Sequence, residues 1–275
     1  MQVRTTTAGY SAREEILHSV THGIGVLMSV TGLATLIVYS SKYGDAWHVV
    51  SSGIYGFTLI ALYTISTLYH GVTKPGIKQV LQKLDHAAIF LLIAGTYTPF
   101  TLVILRGNWG WTLFGTVWSI AIAGMIMELV VKQRDKRISI SLYLGLGWSI
   151  MVAIKPMLTN VAPGGMVLLV LGGLLYSLGV IFYMWKTLPY HHAIWHLFVL
   201  AGSAAHFFAV FLYVVPGGPS APPPDSAALH PGYNLLTPCS TAVPFRLTGI
   251  SASWTLAFAG VTTYSGFPEH IPASS

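Results

Sequence analysis

Two histidines in "HHAIWH", His192 and His196, stand four residues apart in a strongly apolar stretch. On an α-helix that spacing stacks both imidazoles on one face, where together they can hold one metal ion. His191 points about 100° away from that face and is the poorer ligand. His206 lies near the same face but about 15 Å deeper, too far to share an ion with the pair. Ser66 and His70 in "STLYH" repeat the four-residue spacing. A third histidine from another helix would complete a three-ligand site with an open fourth position, which catalytic zinc keeps for water. Asp85, in "KLDHAAIF", could orient that water or accept its proton.

Each of these residues also has a plain structural reading. A histidine pair near a membrane interface can snorkel or bond backbone carbonyls. An aspartate can cap a helix, and a serine can join two helices. Residue types alone leave both readings open. Glu15, His18 and His22 in "EEILHSVTHG" share one helical face at i, i+3 and i+7. That face reads first as the interfacial start of an amphipathic helix, and second as a neighbour of the site. Glu128 reads as facing headgroups or pairing with the basic stretch after it, and His48 and His86 have no partner at useful spacing.

The elements that must position these groups follow from composition. The 275 residues are 53% hydrophobic and only 8% charged, against about 25% charged in a soluble domain. Apolar segments run roughly over 19–40, 48–70, 85–105, 110–131, 140–158, 165–185 and 191–215. Each can cross a hydrocarbon core about 30 Å thick, where the backbone must satisfy its own hydrogen bonds as a helix. The fold class is therefore an all-α membrane protein, a seven-helix transmembrane bundle over 19–215 behind an N-terminal arm, 1–18. Pro99 is expected to kink the third helix. Tryptophans and tyrosines around 109–111 and 183–195 read as interfacial anchors.

The net charge of +6 does not point to nucleic acid, because the basic residues lie in short connections rather than along one helix face. Ten of them (Arg4, Arg13, Lys74, Lys78, Lys83, Lys132, Arg134, Lys136, Arg137 and Lys186) fall on one side of the proposed membrane and three (Lys42, Arg106 and Lys155) on the other. Basic connections stay cytoplasmic, so the N-terminus is expected inside and the end of helix 7 outside. His70, Asp85, His192 and His196 then share one leaflet. The N-terminal stretch lacks a short apolar core before a small-residue cleavage site, so no signal peptide is expected. Cys239 is the single cysteine, which excludes an intramolecular disulfide and a CxxC pair. Residues 216–275 hold ten of the fifteen prolines and read as a disordered or non-native tail, such as a frame-shifted end.

"EEILHSVTHGIG", "STLYH", "LDHAAIFLLIAGTYTPF" and "HHAIWHLFVLAGSAAHF" resemble the bacterial hemolysin III family, part of the progestin and adipoQ receptor superfamily. The resemblance covers about residues 10–215. It implies a multi-pass protein of the bacterial cytoplasmic membrane, with zinc held by His70, His192 and His196. It also implies that Asp85 works with a water at the metal and that Ser66 supports the site. His18 stands where many members carry asparagine, and the tail departs from members that end after helix 7. Three functions follow as expectations: a zinc-dependent intramembrane hydrolase acting on a lipid amide, a membrane-lytic pore former or channel, and a receptor with structural zinc. Clustering of the polar groups at one end disfavours a continuous conduit.

Overall fold

The computed structural model describes residues 9–131 and 135–216. The proline-rich tail and Arg4, Lys132 and Arg134 therefore lie outside the described residues. Seven helices are long and apolar enough to cross a membrane: α1 (Ala12–Tyr43), α2 (Ala46–Gly71), α3 (Pro75–Ile104), α4 (Asn108–Val130), α5 (Lys136–Asn160), α6 (Pro163–Met184) and α7 (His191–Tyr213). No β-strand occurs among the described residues. The all-α seven-helix membrane bundle expected from hydropathy is the architecture found.

Local chemistry sets the helix ends. Ser11 caps α1 in a reciprocal box: Glu14 N–H donates to Ser11 Oγ, and Ser11 N–H donates to the Glu14 carboxylate. Asp45 caps α2 by accepting from the backbone N–H groups of Trp47 and His48. Pro75 and Pro163 occupy first turns, where a missing N–H costs nothing. Pro99 does not end α3, which continues as a π-helical turn over Phe100–Ile104. α5 loosens into a 3-10 stretch over Trp148–Ala153.

α3 is the central helix: 78% of its apolar window is buried, against 50% or less in each of the others. The core around it includes Tyr55, Tyr63, Phe90, Val117 and Met157. Outer faces expose Leu27, Val152 and Val167, as contact with lipid tails requires. Gly25 lets α1 approach α2, since a Cβ there would lie 2.6 Å from the Tyr63 ring. Gly179 does the same between α6 and α7, where a Cβ would stand 2.8 Å from Cβ of Phe198.

Two boundaries differ from the hydropathy reading, and both bear on the site. α1 begins at Ala12 rather than at residue 19, because the Ser11 cap starts the helix among polar residues. α3 begins at Pro75 rather than at residue 85, so Lys78 and Lys83 are helical and Asp85 lies inside the helix instead of opening it. A window tuned to apolar composition misses a helical turn that carries buried charge.

Candidate metal centre

The start of α1, the end of α2 and the start of α7 meet at one end of the bundle. Ser19 Oγ donates to the Thr67 carbonyl at 3.1 Å, and the Tyr63 hydroxyl donates to Ser203 Oγ at 2.7 Å. These contacts set five buried imidazoles side by side: His18, His22, His70, His192 and His196. Their helices place them there by spacing. His18 and His22 are one turn apart on α1, His192 and His196 one turn apart on α7, and His70 closes α2.

Three of them, His18, His70 and His192, bring ligand nitrogens within 4.8 Å of one another and could hold a metal ion. Of the expected trio, His70 and His192 belong to this group and His196 does not; its ring packs beside them, its centre 4.6 Å from that of His192 and 5.2 Å from that of His70. His22 stacks on His196 at 3.6 Å and presents an edge to Tyr63.

The expected interfacial role of Glu15, His18 and His22 is corrected here. All three are buried, with His18 fully so. Glu15 Oε2 lies 2.7 Å from His70 Nδ1, and Glu15 Oε1 lies 3.1 Å from Lys78 Nζ. Lys78 also donates to the carbonyls of Tyr69 (2.8 Å) and Val72 (3.2 Å), at the carbonyl-rich end of α2. With Lys78 beside it, the Glu15 carboxylate is placed to accept a proton from His70 Nδ1, the tautomer that leaves Nε2 with the free lone pair. A carboxylate behind a metal-binding histidine orients the ring and raises its basicity. Sequence reasoning passed over this pair. Its signal was the shared face of Glu15 and His18, but the partner of Glu15 lies 55 residues away.

Zinc fits these donors. Tetrahedral zinc with imidazole nitrogens at about 2.0–2.1 Å sets neighbouring ligand nitrogens roughly 3.3 Å apart. His70 Nε2 and His192 Nε2 are 3.3 Å apart. Both nitrogens of His18 and Nδ1 of His192 are buried with no hydrogen-bond partner among the described residues. Each such orphan costs about 1–3 kcal/mol, and an ion bound through one His18 nitrogen would relieve one of the three.

Ser66 and Asp85 reach the same place from α2 and α3. With His22, His192 and His196 they line a cavity of about 70 Å³, whose walls include Leu62, Ile89 and Val180. Ser66 Oγ makes no hydrogen bond of ordinary geometry, although it neighbours the Asp85 carboxyl. On the outer side Tyr10 stacks against His192 at 5.2 Å and meets His18 edge-on at 5.0 Å. Burial pushes the Tyr10 hydroxyl well up from its ordinary range, with the charges of Tyr183, Glu15 and Glu14 adding to it, so it stays a neutral cover. In the α6–α7 connection, burial and then the charge of Lys136 bring the Lys186 ammonium down to about 8.

The family described as "Haemolysin-III related" matches residues 10–207. The chain is 48% identical over 206 residues to the "Hemolysin-3 homolog" of Bacillus subtilis, covering 75% of this chain and 97% of that protein. It is 47% identical over 216 residues to "Hemolysin-3" of Bacillus cereus, covering 78% and 99%. The chain belongs to the haemolysin-III family. It is also 30% identical over 207 residues to the human "Monocyte to macrophage differentiation factor", covering 73% and 84%, which fits the place of the haemolysin-III family in the progestin and adipoQ receptor superfamily.

Within this haemolysin-III fold the remaining histidines separate by partner. His191 is buried rather than interfacial but belongs to no ligand group among the described residues. His206 lies deeper, with Nδ1 2.8 Å from the Gly202 carbonyl and its ring stacked on Tyr176. Contrary to the expectation from spacing, His48 and His86 have acidic neighbours: Asp45 at 2.8 Å and Glu128 at 3.8 Å. Glu128 is buried rather than at the headgroups and accepts from the Tyr143 hydroxyl at 2.9 Å. Trp109, Trp111 and Trp185 are half exposed, as interfacial anchors should be.

Proposed function

We propose that this haemolysin-III protein is a zinc-dependent intramembrane hydrolase acting on a lipid amide or a similar bond. It sits in the bacterial cytoplasmic membrane with its N-terminus inside and the end of α7 outside. The observation that carries the reading is one cavity beside the histidine cluster that brings Ser66, Asp85, His192 and His196 together with apolar walls such as Leu62, Ile89, Val180 and Val199, and with His86, Lys136 and Ser139 also on its lining. A lipid would reach such a cavity sideways from the bilayer.

His70, His192 and His196 would hold zinc, with Glu15 and Lys78 fixing the His70 ring. Zinc at this position supplies Lewis acidity, polarising a carbonyl oxygen and making water acidic near neutral pH. Asp85 accepts the proton of the attacking water as the carbon–oxygen bond forms. The same carboxyl returns that proton to the departing amine nitrogen as the carbon–nitrogen bond breaks. Ser66, next to Asp85, orients the carboxyl or the carbonyl. A second cavity of about 120 Å³ shares Leu62, Ile89, Tyr143, Val180, Trp195 and Val199 with the first and supplies apolar room for an acyl chain. In this reading the bundle from Ala12 to residue 215, Glu15 included, carries the activity, and the tail beyond it contributes none.

The test is fatty-acid release from a ceramide-like amide by the purified chain in lipid nanodiscs, with bound zinc measured in parallel. His192→Ala should lose both zinc and turnover. Undiminished turnover by metal-free protein would remove the hydrolase reading.

A further inference from the structure

The cavity of Ser66 and Asp85 has a second polar end. One face of α5 lines it: Lys136, Ser139, Ile140 and Tyr143 stand at i, i+3, i+4 and i+7. Lys136, at the start of the helix, is exposed, whereas Ser139 one turn further in is buried, so the lysine stands at the mouth. Tyr183 lines the cavity from α6 and holds the Lys186 ammonium, 4.2 Å from its ring centre and 2.7 Å from its carbonyl oxygen. Burial and then the charge of Lys136 act on that ammonium, so the two cations share one mouth. Among the described residues neither lysine is in an ion pair. The carboxylates on this side are engaged elsewhere: Glu128 faces His86 and Tyr143, and Asp85 lies beside Ser66.

Ser139 supplies an independent sign of a ligand. Its hydroxyl is buried, at 5% exposure, and makes no hydrogen bond among the described residues. A hydroxyl in a helix can return its proton to a carbonyl of the preceding turn, as Thr96 and Thr98 do on α3. Ser139 does not, and is left as a donor on a cavity wall beside the first turn of α5, where the helix end also favours an anion. Basic connections at one membrane face follow from topology alone. Topology places neither a lysine on a cavity wall nor a buried hydroxyl beside it. Arg137 gives the contrast, since it is exposed one residue further on and is not on the lining.

We infer that Lys136, Ser139 and Lys186 form a subsite for a phosphate group, so that the amide lipid cleaved here carries a phosphate headgroup. Basic pockets between membrane helices take phosphate headgroups in the same way. The phosphate lies at the mouth, the amide beside Asp85 and the acyl chain in the adjoining apolar cavity. The inference deepens the hydrolase reading and rests on it for the amide, though not for the phosphate.

The test compares a ceramide-like amide phosphorylated on its headgroup hydroxyl with the same amide left unphosphorylated, using the zinc-loaded full chain in phosphatidylcholine nanodiscs. Binding is read by native mass spectrometry and turnover as fatty acid released. The phosphorylated amide should bind wild type at least about tenfold more tightly, through charge-assisted bonds to the lysines. Lys136→Gln and Lys186→Gln should each remove most of that preference and leave binding of the neutral amide unchanged. Arg137→Gln removes the same charge from a neighbouring residue and should leave the preference intact. Equal binding of the two amides by wild type would overturn the subsite, and so would an equal loss in R137Q, which would make the effect one of general surface charge. Inorganic phosphate that stimulates release from the neutral amide, with no preference for the phosphorylated one, would assign the lysines to a free anion and likewise overturn the headgroup subsite. The hydrolase reading fails separately, if the phosphorylated amide binds with this preference and neither amide releases fatty acid.

Discussion

Each end of this bundle buries a histidine against a carboxylate, yet only one end assembles a site. At the start of α2, His48 Nδ1 lies 2.8 Å from Asp45 Oδ1, and the other oxygen of Asp45 takes Arg106 at 3.0 Å. The partners are three residues apart and belong to a helix cap. Among the described residues His48 Nε2 remains unpartnered, and His48 belongs to no group of three ligands that could share an ion. At the other end His70 meets Glu15 across two helices, and four more imidazoles converge on the same space. Burial of a polar group is common to both ends. Convergence of several donors from separate helices, with their outer nitrogens already fixed, marks the site.

The widest separation between the two ends should appear in metal affinity. His70→Ala or His192→Ala removes one proposed ligand, and with about 10–16 kcal/mol shared among the ligands of a zinc site, affinity should fall on the order of 100- to 1000-fold. His48→Ala should leave affinity unchanged. Chelator competition on the three proteins decides this, and equal loss in all three would erase the distinction between the ends.

A smaller effect tests the carboxylate behind the ligand. Glu15→Gln keeps the shape but no longer holds His70 through a charged acceptor, so zinc affinity should fall about 10- to 100-fold while the helical content in circular dichroism is kept. Unaltered affinity would make Glu15 only a partner for Lys78.

Much of this end was legible in the sequence. The seven apolar segments, alternated across a bilayer, already put His70, Asp85, His192 and His196 in one layer. Glu15 and His18 read only second as neighbours of the site, and Lys78 not at all, for a physical reason. A charged or polar residue at the edge of an apolar run reads as solvated, because hydropathy averages over a window and carries no partner. Lys78 looked like a connection residue, yet it lies inside α3, neutralising Glu15 and capping α2. Such pairing needs two helices to be placed together, and the sequence pattern orders helices without rotating them.

Local packing effects come next in size. His48→Ala removes the side chain that bonds the Asp45 carboxylate at the start of α2 and should cost about 1 kcal/mol of stability, read from denaturant unfolding in detergent micelles. Bound zinc should not change. Loss of zinc along with stability would show that the two ends are coupled through α2.

The smallest expected effect is a pH dependence confined to the Asp45 end. Partial burial opposes ionisation of Asp45, but bonds from the His48 side chain and from the backbone N–H groups of His48 and Trp47 outweigh it and hold the carboxyl below its usual range. The unfolded chain therefore binds more protons than the folded one over that interval, and stability rises with pH across it. The contribution is fully present above the ordinary aspartate value of about 4 and disappears as pH falls through the lower folded value. Asp45→Asn removes the titrating group, so the metal-free wild type should lose thermal stability on acidification below about pH 4 by more than metal-free D45N does. Equal pH profiles would mean that Asp45 acts at the helix start through shape alone, leaving Arg106 and His48 without an ionic role there.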